Sequence, residues 1–159
     1  MPERTFLGKG WSFPPTFIKE KKPDGTERGY VKMVADEADV EQSLNILLSS
    51  RPGERPLQPT FGINLDVMLF EPLTTTLITF VEDLIQTAVI LHEPRIELNS
   101  VEIETGQANQ GVVLISLDYT LRSDNSRYNL VYPFYLEEGT DINITLKEGI
   151  GLRVGQIAI

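Results

Sequence analysis

Two proline-rich stretches of the sequence place carboxylates beside arginines. Residues 51–55 read RPGER and residues 91–98 read LHEPRIEL, so Glu54 and Glu93 each have an arginine neighbour. Glycoside hydrolysis requires two carboxylates that flank a cleft. Pairing with arginine lowers the pKa of a carboxylate, however, whereas a general acid needs a raised pKa. Three interpretations of these corners stay open: a catalytic carboxylate, a corner held by an ion pair, or a docking site for another protein.

Other kinds of active site find little support in the sequence. His92 is the only histidine and cysteine is absent, which argues against a multi-histidine or thiolate metal site and a cysteine nucleophile. His92 itself is expected at a helix C-terminus, where partial positive charge suits the helix dipole. We therefore expect no cofactor, no metal and no enzymatic activity. The alternatives are a peptidoglycan hydrolase (muramidase) acting through Glu54 and Glu93, and an isolated ligand-binding module.

Proline gives both corners a defined geometry. Pro94 ends a helix and pushes Glu93 toward extended backbone, which fixes the directions of the Glu93 and Arg95 side chains. Arginine can meet a carboxylate through two parallel hydrogen bonds. Such a pair either closes the corner within the chain, contributing about 0–1 kcal/mol when exposed, or presents one member to another subunit. The candidate partner-binding residues are Arg51, Glu54, Arg55, Glu93, Pro94 and Arg95.

Charge and hydropathy limit the class of partner. The 159 residues carry a net charge of −9, which argues against nucleic acid and against an anionic membrane surface. No apolar run approaches the ~20 residues of a membrane span, and the N-terminal residues lack the apolar core of a secretory signal. We expect a cytoplasmic protein without direct membrane contact. The one basic cluster, residues 19–22, is diluted by Glu20 and is interpreted as a solvated hairpin tip.

Helical spacing of apolar residues predicts the elements that precede the second corner. Residues 74–91 are expected to form a long amphipathic helix. Residues 39–49 are expected to form another, in which Asp39 and Gln42 resemble a capping box. A shorter helix is predicted over residues 63–70. The apolar positions assigned to the buried face of the long helix are Leu77, Val81, Leu84, Ala88 and Leu91.

Alternating apolar residues predict strands in the rest of the chain. After Pro94 the pattern indicates a three-stranded antiparallel meander with one apolar face, which the long helix covers, and a bulge near residues 99–100. Pro-Asp-Gly at residues 23–25 predicts the turn of an N-terminal hairpin. The expected fold class is α+β: a small meander sheet packed against a long helix, with an N-terminal hairpin, a shorter helix and an extended C-terminal tail.

Four stretches, in this order, carry a family resemblance: FLGKGWSFPPTF, DVEQSLNILLSSRPGERPLQPTFG, LFEPL, and HEPRIEL followed by VEI. Together they resemble the baseplate-wedge, lysozyme-like family of contractile tails, and the resemblance covers about residues 6–136. The family includes a T-even phage baseplate wedge protein and TssE of type VI secretion systems. The resemblance implies that the chain is a virion or particle component of a phage tail, a type VI machine or a phage-tail-like injection particle.

The resemblance implies a small α/β structural subunit that is present once per wedge. The Glu-Pro-Arg corner, here Glu93, Pro94 and Arg95, is implied to attach it to the other wedge subunits that form the core bundle around the hub. Its sheet is similar to the inner part of the sheath subunit. It is therefore implied to template the first sheath ring by exchanging β-strands with sheath arms. Hub or inner tube proteins are further expected partners, and the name lysozyme-like reflects the muramidase alternative.

The C-terminal residues depart from the family pattern. We expect residues 1–138 to form the baseplate-wedge domain and residues 139–159 to form an extension. The sequence EGTDINITLKEGIGLRVGQIAI, which starts at Glu138, alternates and then becomes glycine-spaced and apolar. This pattern is typical of a strand that adds to the domain's own sheet or pairs with another subunit.

Overall fold

A computed structural model describes residues 8–21, 25 and 27–136 of the chain. Four short strands come first, three α-helices follow, and three longer strands come last, and this segregation of helices and antiparallel strands confirms the predicted α+β class. The C-terminal extension predicted over residues 139–159 lies outside the described residues. The helices are α1 (Glu37–Ser49), α2 (Val67–Phe70) and α3 (Thr75–His92). The strands are β1 (Lys9–Trp11), β2 (Phe17–Lys21), β3 (Glu27–Val31), β4 (Met33–Ala35), β5 (Ile96–Glu104), β6 (Val112–Leu121) and β7 (Arg127–Tyr135).

The last three strands form the predicted antiparallel meander, in the order β5–β6–β7. Its pairing register shifts between Leu98 and Ser100, where the bulge was predicted. Along β6 the buried side chains alternate with partly exposed ones, because successive residues of a strand face opposite sides of the sheet. Ile115 and Leu117 on the apolar face are completely buried.

The long helix α3 covers that apolar face. Its first turn is capped by Thr74, whose hydroxyl accepts a hydrogen bond from the Leu77 N–H at 3.3 Å. Val81 and Ile85 lie at the centre of the buried face and are 0% exposed. The prediction for Leu91 was wrong: its side chain is 69% exposed, because it lies on the flank of the helix. Within the described residues, no helix has the length and apolar character needed to cross a membrane.

Helix α1 begins at Glu37, two residues before the predicted start, and its capping differs from the prediction. Asp36 precedes it with φ of 58° and makes no side-chain capping bond. Gln42 instead bonds the backbone of the N-terminal segment at 2.7 and 2.8 Å, and Asp39 binds an arginine. The predicted capping box is therefore wrong, since both polar side chains are used in tertiary contacts.

The second helix is shorter than the predicted span of residues 63–70. Ile63 is not helical, because its N–H donates to the carbonyl of Ser50 at 2.8 Å. Gly62, with φ of +110°, turns the chain toward that carbonyl, and a side chain at this position would collide with the Ser50 backbone. The segment before α2 is thus held to the end of α1 rather than coiled.

The N-terminal hairpin is present as β2 and β3, which pair from Phe17↔Val31 to Lys21↔Glu27. Most of its predicted turn, residues 22–24 and 26, lies outside the described residues. Nearer the domain body, β1 pairs with β4, and the Ser12 N–H donates to the Lys32 carbonyl at 2.9 Å. Strands β1 to β4 therefore form one two-stranded arm, with the excursion at residues 13–15 between β1 and β2.

Candidate functional site

Glu93 is the residue at which α3 ends, and its side chain is buried. Its backbone N–H still donates to the Val89 carbonyl at 2.8 Å, while its φ and ψ of −129° and 71° leave the helix. A non-helical conformation is what the following Pro94 favours. The Glu93 side chain is only 3% exposed. The predicted corner between helix and sheet is confirmed, and its carboxylate lies inside the molecule.

Arg95 binds the Glu93 carboxylate and a second one from α1. Its Nε and Nη2 donate to the two carboxylate oxygens of Glu93, both at 2.6 Å. Its Nη1 donates to Oδ2 of Asp39 at 2.7 Å. Asp39, Glu93 and Arg95, the ion cluster, therefore join the start of α1 to the corner between α3 and β5. The question that the sequence left open is answered: Glu93 and Arg95 bind each other.

Gly10 of β1 lies directly against the ion cluster. A Cβ atom at this position would approach Oδ1 of Asp39 to 2.5 Å, which is closer than real Cβ contacts allow. A larger residue at position 10 would therefore require the Asp39 carboxylate to shift, and this constraint comes from close approach and not from the backbone angles of Gly10. The N-terminal arm, α1 and the corner after α3 consequently meet at one point.

The electrostatics of the ion cluster suit structure better than acid catalysis. Hydrogen bonding to Glu93 raises the pKa of the Arg95 guanidinium above its ordinary value, although burial opposes the shift. Arg95 remains a cation, and both oxygens of Glu93 accept hydrogen bonds from it. A general acid must reach its substrate with a proton to donate. Glu93 is poorly placed for that role because it is buried and both of its oxygens are occupied.

The other corner is an exposed loop between α1 and α2. Arg51 reaches forward, and its Nε lies 2.9 Å from Oδ2 of Asp66. Glu54 accepts a hydrogen bond from the Arg51 backbone N–H at 3.1 Å. The predicted pairing of Glu54 with a neighbouring arginine therefore takes the form of a backbone contact, while the Arg51 guanidinium binds another carboxylate.

A stack of three side chains connects the two corners. The Arg55 guanidinium lies 3.9 Å from the centre of the Phe61 ring. The Phe61 and His92 rings are 5.1 Å apart, and His92 Nε2 lies 3.2 Å from the Thr60 carbonyl oxygen. His92 is the last residue of α3, as predicted, so this stack holds the loop against the helix end next to Glu93. The two groups of candidate partner-binding residues thus lie on connected parts of the molecule.

Exposure divides the candidate residues into three groups. Arg51, Glu54, Arg55 and Pro94 are exposed, Arg95 is partly buried, and Glu93 is buried. The sequence reasoning did not identify Asp39, Phe61 and Asp66 as their partners. Asp39 did carry a signal, an acidic residue in the first turn of a helix, but that signal was assigned to capping. Neither periodicity nor spacing contains information about which distant side chain an arginine will bind.

The sheet ends in two edge strands, β5 and β7. The Leu121 N–H donates to the Ser126 carbonyl, and the Leu136 N–H donates to the Gly111 carbonyl, at 2.9 and 2.8 Å. Because antiparallel bonding alternates along a strand, the even-numbered residues of β7 bond to β6. The odd-numbered residues direct their N–H and C=O groups away from the sheet, except that Pro133 has no N–H to offer. Strand β7 pairs with β6 without a register shift, whereas β5 contains the bulge.

Two adjoining grooves run beside β7 on the side of the helices. Their volumes are about 460 and 250 Å³, and both are lined by Ser49 of α1 and Tyr132 of β7. Phe13 contributes to the first groove and Phe134 to the second. A strand added to the outer edge of β7 would direct every second side chain toward these grooves. On β5, by contrast, exposed glutamates accompany the bulge, a combination that discourages strand addition.

Comparison with known families gives one match over most of the described chain. The family model for baseplate wedge protein gp25 matches residues 34–126, more than half of the sequence. The baseplate wedge protein gp25 of Enterobacteria phage T4 is 38% identical over 64 residues, which are 40% of this chain and 48% of the phage protein. The match therefore spans about half the length of that relative.

Solved structures show the same fold. A crystal structure of a protein from Geobacter sulfurreducens, named as a tail lysozyme, is 42% identical with a TM-score of 0.61, covering 67% of this chain and 98% of that protein. A chain of the anti-feeding prophage baseplate, solved by cryo-EM, is 26% identical with a TM-score of 0.55, covering 84% and 90% respectively. These similarities confirm the family resemblance that the sequence motifs indicated.

Proposed function

The chain belongs to the baseplate wedge protein gp25 family, and from this premise we propose that it is a structural baseplate subunit of a contractile injection machine. It docks onto other wedge subunits and templates the first sheath ring by β-strand exchange. Its location is the baseplate of a phage tail, a type VI machine or a phage-tail-like particle. Hub or inner tube proteins are further candidate neighbours.

The observation that carries the sheath proposal is the edge of β7. In β-strand addition, backbone hydrogen bonds contribute affinity, and pockets for alternate side chains set the register. β7 offers both, since its odd-numbered residues direct backbone groups outward and two grooves lie beside it. We assign the sheath arm to β7 rather than β5, because the bulge and the exposed glutamates of β5 oppose regular pairing.

Docking onto wedge subunits is assigned to the exposed part of the two corners. Arg51, Glu54, Arg55 and Pro94 are accessible to a partner, whereas Glu93 is not. The ion cluster supports docking indirectly by fixing the backbone on either side of Pro94. The stack of Arg55, Phe61 and His92 does the same for the loop. The acidic charge of the chain adds steering toward basic partner surfaces more than affinity.

The test of strand exchange is a proline at Val131, whose N–H faces outward and whose side chain is 50% exposed. Val131→Pro removes one outward donor without breaking a bond between β6 and β7. Val131→Thr is the matched control, because it keeps both the N–H and the branched side chain. Both variants are produced with the baseplate and sheath genes of the same particle, and assemblies are counted by electron microscopy. We expect Val131→Pro to give baseplates that lack extended sheath, and Val131→Thr to assemble normally.

Two outcomes would contradict separate parts of this proposal. Normal sheath with Val131→Pro would show that strand addition does not use β7. Docking is tested in the same system with Arg55→Glu, which reverses an exposed charge, against Arg55→Lys. If Arg55→Glu entered baseplates at the wild-type level, the loop would not be part of the docking surface. Absence of the wild-type chain from purified baseplates would overturn the proposed role altogether.

Peptidoglycan hydrolysis is the second candidate, because one similar structure is named as a tail lysozyme. We propose that the chain is not an enzyme, since Glu93 is buried in the ion cluster and Glu54 lies on an exposed loop. The muramidase alternative predicts release of soluble fragments from purified peptidoglycan that is lost in both Glu54→Gln and Glu93→Gln. Peptidoglycan hydrolysis that both substitutions abolish would show that the chain is an enzyme and would contradict the structural assignment.

A further inference from the structure

The N-terminal arm projects from the domain with little cover. None of the ten residues of β2 and β3 is buried. A two-stranded hairpin that packs against nothing is marginally stable in water. Its base, in contrast, is firmly held, because Gln42 of α1 bonds the Trp11 carbonyl and the Phe13 N–H at 2.8 and 2.7 Å. The arm is therefore fixed in direction at one end and exposed along its length.

One face of the arm carries a row of apolar side chains. Trp11 pairs with Met33, and Phe17 pairs with Val31, so all four side chains lie on the same side of the two-stranded ribbon. Trp11 is 59% exposed, Phe17 is 74% exposed and Met33 is 40% exposed. The opposite side at the base is the one where Gly10 meets α1. The apolar row, Trp11, Phe17, Val31 and Met33, therefore faces away from the domain body.

The charge around the apolar row is opposite in sign to that of the molecule. Residues 9–32 contain six lysines and arginines and three acidic residues, a net charge of +3. Residues 33–159 contain seven basic and nineteen acidic residues, a net charge of −12. Lys19 and Lys21 share the parity of Phe17 and so extend the same face toward the tip. Contiguous exposed apolar residues rimmed by charge mark interaction sites rather than solvated surface.

We propose that the apolar row is a docking surface for an acidic protein surface with an apolar centre on another baseplate subunit. The inference rests on the proposed function only for the presence of that subunit. A symmetric pair of copies would place one basic face against another, which disfavours self-association through this surface. The net charge of −9 disfavours an anionic membrane as the occupant. Lys19 and Lys21 of the basic cluster, which was interpreted from sequence as a solvated hairpin tip, are thus assigned to binding.

The experiment compares the two faces of the same arm in the full-length chain. The test variant is Trp11→Ser with Phe17→Ser, and its control is Tyr30→Ser, which removes an aromatic residue 44% exposed on the opposite face. A second test variant combines Lys19→Glu and Lys21→Glu. Its control is Arg28→Glu, on the opposite face. Each chain is produced with the baseplate genes of its own particle, and the amount in purified baseplates is measured by quantitative mass spectrometry. A photo-reactive phenylalanine analogue at position 17 or 30 identifies the contacted peptide.

We expect both test variants to enter baseplates at least about tenfold less well than wild type, because aromatic residues at an interface centre carry much of its affinity. The controls are expected to enter normally, and the position-17 cross-link is expected to reach an acidic subunit. Circular dichroism of the purified chains checks that all remain folded. Normal entry of both test variants overturns this inference while leaving the proposed function intact. Failure of the wild-type chain to enter overturns the proposed function first.

Two further outcomes would assign the surface to another occupant. Concentration-dependent dimers in sedimentation, abolished by the Trp11 and Phe17 substitutions, would make a second copy of the chain the partner. Flotation with vesicles containing phosphatidylserine, lost in the same variant, would make a lipid surface the partner. Either result overturns the acidic-subunit assignment.

Discussion

Arg95 is the residue on which the corner after α3 depends. It satisfies two carboxylates at once, and Glu93 would be left buried at 3% exposure without it. Removing one member of a buried ion pair leaves an uncompensated charge, which is more costly than losing the pair as a whole. The ion cluster therefore compensates the buried charge of Glu93 within the chain itself.

We predict that Arg95→Ala lowers the free energy of unfolding by about 3 kcal/mol. This is the lower end of the cost of breaking a buried ion pair, and it applies because the Arg95 side chain keeps 23% exposure. Arg51→Ala is the matched control, since its ion pair with Asp66 is formed by a side chain that is 61% exposed and is worth about 0–1 kcal/mol. Urea unfolding followed by circular dichroism measures both. Equal, small effects would show that the ion cluster contributes no more than a surface pair.

A consequence follows for experiments on docking. Because Glu93→Ala and Arg95→Ala are expected to destabilise the corner, docking is better tested with a substitution that leaves the ion cluster in place. Substitution of the exposed Arg55 separates a loss of docking from a loss of stability, since it leaves the ion cluster in place.

At the scale of elements, the N-terminal arm meets α1 at Gly10. A methyl group there would displace the Asp39 carboxylate from its position beside Arg95. We predict that Gly10→Ala costs about 1–3 kcal/mol of stability, the usual cost of overpacking. Gly29→Ala on β3 is the control, because a Cβ there meets nothing within 4 Å. Thermal unfolding compares them, and a Gly10→Ala chain as stable as Gly29→Ala would mean that the Asp39 carboxylate moves aside without loss of stability.

The elements themselves were largely predictable, because burial imposes a period on the sequence. The period of 3.6 residues located α1 and α3, and the period of two located β5, β6 and β7, including the bulge. The failures have physical causes. Residues 63–66 follow a helical pattern, but the Ile63 N–H donates to the Ser50 carbonyl instead of a helical one. Asp39 and Gln42 do not cap α1 because their side chains bind distant groups. Local patterns report which face is buried, not which tertiary partner competes for a polar group.

On the scale of the whole molecule, one hydrophobic core holds the three described α-helices and the three-stranded sheet. α1, α2, α3 and the meander all contribute buried side chains to a single cluster, whereas the arm contributes none from β2 or β3. The three proposed binding surfaces, which are the exposed corners, the β7 edge and the arm, lie around this core. A rigid core with several projecting edges suits a subunit whose neighbours differ from one another.

The domain boundary proposed at residue 138 can be tested on that basis. Every core contact and ion pair described above joins residues that a chain ending at Glu138 retains. We therefore predict that a chain ending at Glu138 unfolds within about 2 °C of the full-length protein, since it keeps all of these contacts and its unfolding free energy should differ by only a fraction of 1 kcal/mol. Differential scanning calorimetry measures this, with a chain ending at Leu130 as a control that lacks half of β7 and is expected not to fold. A markedly lower transition for the chain ending at Glu138 would make residues 139–159 part of the domain. A stable truncated chain that fails to enter baseplates would instead place their contribution at a partner.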